Sequence, residues 1–124
     1  MFLPILLFAC ECETPDDGPI SAGSWGGEHF SLVIVAAGDA RLETDCAHGS
    51  LAPATVTAGE FHWEFDWIPE GGAVVEDGVP AAVPVAEFDG KICVDTITGT
   101  LAVGDDEDAV SLTRNGTPYL YKCL

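Results

Sequence analysis

Glu60-Phe61-His62-Trp63-Glu64-Phe65-Asp66-Trp67-Ile68 alternates aromatic and polar residues without a break. Side chains in an extended strand point to opposite faces in turn, so Phe61, Trp63, Phe65 and Trp67 share one face. His62, Glu64 and Asp66 share the other, the pattern of a half-buried antiparallel strand. A small barrel needs a filled interior, so the aromatic row reads as core in preference to the lining of a ligand cavity.

Shorter runs of the same kind flank this strand. His29 to Val35 follows the Gly26-Gly27 pair, and Ala40 to Cys46 follows the Gly38-Asp39 turn. Phe88 to Val94 and Thr96 to Val103 form a pair around a tight connection near Asp95, and Asp105 to Asp108 is an acidic hairpin tip before Val110 to Arg114. Asn115-Gly116 is a two-residue turn into Pro118 to Cys123, because Asn and Gly tolerate positive φ. Pro69 to Pro84 is a long Gly-, Pro- and Ala-rich loop with room for a short edge strand. No window carries helical periodicity over three turns. The expected fold is all-β, an antiparallel up-and-down barrel or sandwich of about seven strands, with the barrel preferred because closure removes exposed edges.

Among the 124 residues, 21 acidic side chains face 4 Lys and Arg, for a formal charge of −17. Nucleic acid is excluded as a partner, since phosphate binding needs a basic footprint. The same charge disfavours direct adsorption to anionic lipid and favours solubility.

The chain opens MFLPILLFACEC, an uncharged apolar run that stops at Cys10. Phe2 to Ala9 is far shorter than the ~20 residues needed to span a bilayer and suits a signal-peptide core. Leu7-Phe8-Ala9-Cys10 resembles a bacterial lipobox. The resemblance implies cleavage before Cys10, lipidation of that cysteine, and attachment to a membrane through its acyl chains on the periplasmic or extracellular side of the cell envelope. Residues 1–9 are then a lipoprotein signal peptide, 10–23 an acidic Pro/Gly-rich tether that reads as solvated, and 24–124 the barrel domain.

With Cys10 set aside, Cys12, Cys46, Cys93 and Cys123 remain, and an oxidising compartment makes disulfides the default. Strand parity places Cys46 on the face of Leu42, and Cys123 on that of Tyr119 and Tyr121, both inward. Cys93 falls outward beside Lys91. These parities predict Cys46–Cys123 as the main bridge and Cys12–Cys93 as a second one, joining tether to barrel wall.

Trp25-Gly26-Gly27-Glu28-His29, Asp45-Cys46-Ala47-His48-Gly49 and the ending Lys122-Cys123-Leu124 resemble an uncharacterised family of small exported bacterial proteins with WGGxH, DCAHG and KCL motifs. That resemblance implies a shared β fold and a Cys46–Cys123 bridge, and supplies no activity. Gly23-Ser24-Trp25 also resembles the Gly-x-Trp that opens lipocalin barrels, which implies a small-ligand carrier with an interior cavity.

Candidate chemistry is sparse, and no cofactor is implied. His29 and His48, with Glu28 and Asp45, carry donors suited to zinc or a similar ion, which would make a metal carrier or a metal-dependent hydrolase. No HxH or HExxH spacing supports it, and histidines bonded near turns are the simpler reading. His62, Glu64 and Asp66 stand ~7 Å apart along one strand face and read as solvated. Asp105 to Asp108 lacks the EF-hand spacing for calcium, and Ser50 beside His48 lacks a nucleophile elbow. The expected function is a lipid-anchored extracytoplasmic module, non-catalytic, that binds a partner or serves the structure of the envelope. Its contact surface is the loop-rich end carrying Pro69 to Pro84.

Overall fold

The structure is a computed structural model that describes residues 12–70, 75–76, 79–80 and 83–122. Its strands in chain order are β1 (Gly18–Pro19), β2 (Gly23–Gly27), β3 (Phe30–Ile34), β4 (Ala40–Thr44), β5 (Ala47–Leu51), β6 (Thr55–Val56), β7 (Glu60–Asp66), β8 (Ile68–Pro69), β9 (Val75–Glu76), β10 (Val79–Pro80), β11 (Val85–Cys93), β12 (Thr96–Val103) and β13 (Asp106–Arg114). Nine of them form one sheet in the order β7-β11-β12-β13-β2-β3-β4-β5-β8, with every pairing antiparallel. The two end strands, β7 and β8, follow one another in the chain on either side of Trp67. That single run therefore pairs with β11 through one part and with β5 through the other. The sheet curls into a nearly closed, up-and-down barrel, as the all-β expectation required.

The interior is solid. Phe61, Trp63, Phe65 and Trp67 are all buried, as are Leu32 and Leu42 from the short strands and Phe88, Ile97, Leu101, Val110 and Leu112 from the long ones. Phe88 sits edge-on to Phe61 at 5.6 Å between ring centroids and stacks on Trp63 at 6.2 Å. The Trp63 indole N–H donates to the Ala52 carbonyl at 2.6 Å. The aromatic row packs into the barrel interior, as its reading as core expects.

Several sequence expectations need correction. The Gly26-Gly27 pair, read as a lead-in to a strand, lies within β2. The reason is steric: a Cβ on Gly26 would stand 2.2 Å from the Gly116 carbonyl oxygen, so only glycine lets the C-terminal segment pass so closely. Ala47 to Leu51, assigned no element, is β5. There Gly49 faces the Phe65 ring, whose Cδ2 would be 2.4 Å from an added Cβ. Asn115-Gly116 does turn, with Asn115 at φ 57°, but no strand follows among the described residues. Residues 117–122 run over the outside of β2, joined by a lone parallel bridge between Glu28 and Tyr119.

Residues 10–23, expected to form a solvated tether, are tied to the barrel at several points of their described part. Cys12 forms a disulfide with Cys93, with Cα atoms 5.1 Å apart. The Glu13 carbonyl accepts from the Val94 amide at 2.9 Å, and Asp17 Oδ1 accepts from the Ala58 amide at 2.9 Å. β1 pairs with β6, and Ile20 is buried. This segment is a strap across one barrel end, which also holds the turns at Thr57–Glu60 and Val94–Asp95. The opposite end carries the turns at Glu28–His29, Asp45–Cys46 and Gly104–Asp105. The loop after Pro69, where the described parts form the β9–β10 hairpin, starts from the same end.

Candidate functional site

The far end of the barrel gathers most of the side chains singled out by sequence. His29 occupies the β2–β3 turn at φ 72°, and its Nδ1 lies 2.6 Å from Asp45 Oδ2 in the β4–β5 turn. The other Asp45 oxygen accepts the Tyr121 amide at 2.7 Å. That N–H, with His29 beside it, holds the Asp45 carboxyl below its ordinary value. The Tyr121 ring stands 5.2 Å from the His29 ring. Glu28 lies next to this pair and bridges Tyr119 through backbone.

His48 takes a different partner. It sits on β5 opposite Glu43, and its Nδ1 meets Glu70 Oε2 at 2.6 Å. Lys122 Nζ donates to Glu70 Oε1 at 2.9 Å and forms an ion pair with Glu43. Lys122 is the first cause, and His48 the second, of a Glu70 carboxyl held below its ordinary value. Glu43 and then Glu70 raise the Lys122 ammonium.

The sequence set for metal is thus split: Glu28, His29 and Asp45 stand on one side, and His48 with Glu70 and Lys122 on the other. Among the described residues, no three potential metal ligands come together. His62 also has a carboxylate partner, Asp89, at 2.6 Å on the outer wall. Ser50 is exposed on β5, across from Arg41. Asp106 to Asp108 belong to β13, leaving only Gly104 and Asp105 as the tip.

What this arrangement does chemically is to latch the C-terminal segment. Tyr119 accepts from the His29 amide at 2.8 Å and donates to the Gly27 carbonyl at 3.1 Å. Tyr121 and Lys122 then clamp the β4–β5 turn. Tyr119 and Tyr121 are 61% and 62% exposed, so the inward facing expected for them does not hold. Cys46 is disulfide-bonded. The partner expected from sequence, Cys123, lies outside the described residues. The Glu70 and Lys122 roles escaped sequence reading because their partners lie 22 and 52 residues away.

The strapped end contains a second feature, a cleft of about 490 Å³ between residues 13–21 and the barrel mouth. Its floor is formed by Trp25, Ile34, Val56 and Ile92, and Arg114 stands at one side. The Arg114 guanidinium lies 4.4 Å from the Trp25 ring centroid and 3.4 Å from Asp95. No helix among the described residues is long and apolar enough to cross a membrane. No protein-family model, curated protein or solved structure matches the chain.

Proposed function

We propose that this chain is an exported, acyl-anchored binding module of the cell envelope without catalytic activity, its contact surface at the loop-rich end. The observation that carries the reading is the Cys12–Cys93 disulfide. Such bonds persist outside the cytoplasm and are reduced within it. The lipobox-like ending of the apolar run supplies the anchor at Cys10. Two residues reach at most about 7 Å, so acylation at Cys10 brings the strapped end against the bilayer. The opposite end, with the His29 and His48 pairs and the start of the loop after Pro69, then faces a protein partner. The Tyr121–Asp45 bond brings the tail beside the β4–β5 turn, which supports the expected Cys46–Cys123 bridge.

Mass spectrometry of the chain isolated from membranes of the producing cells tests this. The expected mature species starts at Cys10, carries acyl mass and contains linked Cys12–Cys93 and Cys46–Cys123 peptides. A soluble species that retains residues 1–9, or free thiols at Cys12 and Cys93, overturns it.

A further inference from the structure

Trp25 carries the one buried side-chain nitrogen or oxygen among the described residues that lacks a hydrogen-bond partner. Buried polar groups are nearly always paired, and an exception calls for a specific cause. The contrast with Trp63 is direct, since its indole N–H reaches the Ala52 carbonyl. Trp25 is 3% exposed, and the Arg114 guanidinium covers its ring face while leaving Nε1 unpaired. The same residue is part of the floor of the cleft beneath the strap.

The cleft has the size of a small-molecule site, which usually spans roughly 300–1,000 Å³. Ile34, Val56 and Ile92 make its floor apolar. Its rim carries Glu13, Asp16 and Asp17, and the Arg114 charge is already matched by Asp95. An anionic ligand meets repulsion there, and a fully apolar one leaves the indole N–H unpaired. We propose that this cleft binds a small, uncharged, apolar molecule through an oxygen acceptor, carbonyl or ether, on Trp25 Nε1. With the strap as placed, that nitrogen is closed to water, so binding includes a displacement of the strap or of the Arg114 side chain. The site is separate from the filled barrel interior and does not depend on an anchor at Cys10.

Nuclear magnetic resonance of the isotope-labelled protein tests the site, with 2-heptanone as the probe and heptanoate as its anionic counterpart. The expected result is a saturable shift of the Trp25 indole N–H and of the Ile34, Val56 and Ile92 methyls, with the other two indoles unmoved. Ser21→Phe fills the cleft from its exposed rim and should weaken 2-heptanone at least tenfold. Heptanoate should bind the unaltered protein at least tenfold more weakly than the ketone, a comparison that stands even if Ser21→Phe misfolds. No saturable shift, equal binding of heptanoate, or a long-lived water contact on the Trp25 indole that persists at saturating ketone overturns the proposal.

Discussion

Lys122 Nζ stands 2.9 Å from Glu70 Oε1 and ties the last described residue of the chain to the end of the β7–β8 run. A residue 52 positions away in sequence thus secures the seam where the barrel closes. The ladder at that seam is short, since β5 and β8 pair through only two rungs, Ala47–Pro69 and His48–Ile68.

The latch has a definite pH range. Asp45 is depressed chiefly by the Tyr121 amide, and Glu70 chiefly by Lys122. A depressed carboxylate contributes in full above its ordinary value, 3.8 for Asp45 and 4.5 for Glu70, and loses that contribution as pH falls through its folded value. Lys122 is raised, chiefly by Glu43, so its contribution is complete below 10.5 and is lost as pH rises through the folded value. Hydrogen-exchange protection at the Tyr121 amide should therefore hold between these limits and collapse in acid, before the barrel amides of β12 lose theirs. Lys122→Ala should lower that protection at neutral pH with little change in melting temperature. Uniform loss across tail and barrel would refute a separate latch.

Gly26 is predicted to admit no side chain. In Gly26→Ala the new methyl falls on the Gly116 carbonyl and 2.8 Å from the Pro118 nitrogen. Backbone on both sides cannot yield as a flexible side chain does, so the substitution should cost about 1–3 kcal/mol. It should also release the tail, read as rapid proteolysis after Thr117. An unchanged denaturation midpoint with a protected tail would show that the tail crosses elsewhere.

Much of this fold is legible in the sequence because alternation reports burial directly. The aromatic row, the β11–β12 pair around Asp95 and the Asn115-Gly116 turn all follow from local residue types. β2 and β5 do not, since their glycines serve distant neighbours. Gly26 makes room for the tail and Gly49 for the Phe65 ring, and a glycine written for a remote contact reads locally as a turn. The histidine–carboxylate pairs are hidden for the same reason, their partners lying 16, 22 and 27 residues away. The strap was the least legible element. Its composition is that of a solvated linker; strand parity does predict the Cys12–Cys93 bond that is found, but the backbone pairings that lay the segment on the barrel leave no local signal.

Removing that bond should detach the strap. A crosslink with a separation of 81 residues contributes at most about 4.5 kcal/mol in the chain-entropy model. The Cys12→Ser/Cys93→Ser pair should cost about 2–4 kcal/mol and expose the Ala58 and Val94 amides to exchange. A loss of stability without faster exchange at those two amides would mean that the strap stays docked on its other contacts.

Phe88 has no exposure and touches both Phe61 and Trp63. Phe88→Ala should cost about 3–5 kcal/mol by chemical denaturation, since the rings around it cannot collapse into the space. A loss below about 1 kcal/mol would show that the interior is less tightly packed than the ring contacts imply.

β13 pairs with β12 along eight residues but with β2 only at Thr113 and Arg114. Among the described residues, Asp106 to Leu112 therefore has no ladder partner on that side, and an unpaired edge is a template for a second chain. Strand parity puts Asp106 and Asp108 in phase with buried Val110 and Leu112, at positions where apolar residues would complete the pattern. Charges at such positions oppose edge-to-edge pairing, because adding a strand would force them out of water. The double substitution Asp106→Val/Asp108→Val is predicted to shift the protein to dimers or larger species in light-scattering chromatography. Asp106→Lys/Asp108→Lys keeps charges in place with opposite sign, and should leave the oligomeric state of the unaltered chain unchanged. Association in the lysine variant, or none in the valine variant, would mean that the edge is protected by something other than its charge.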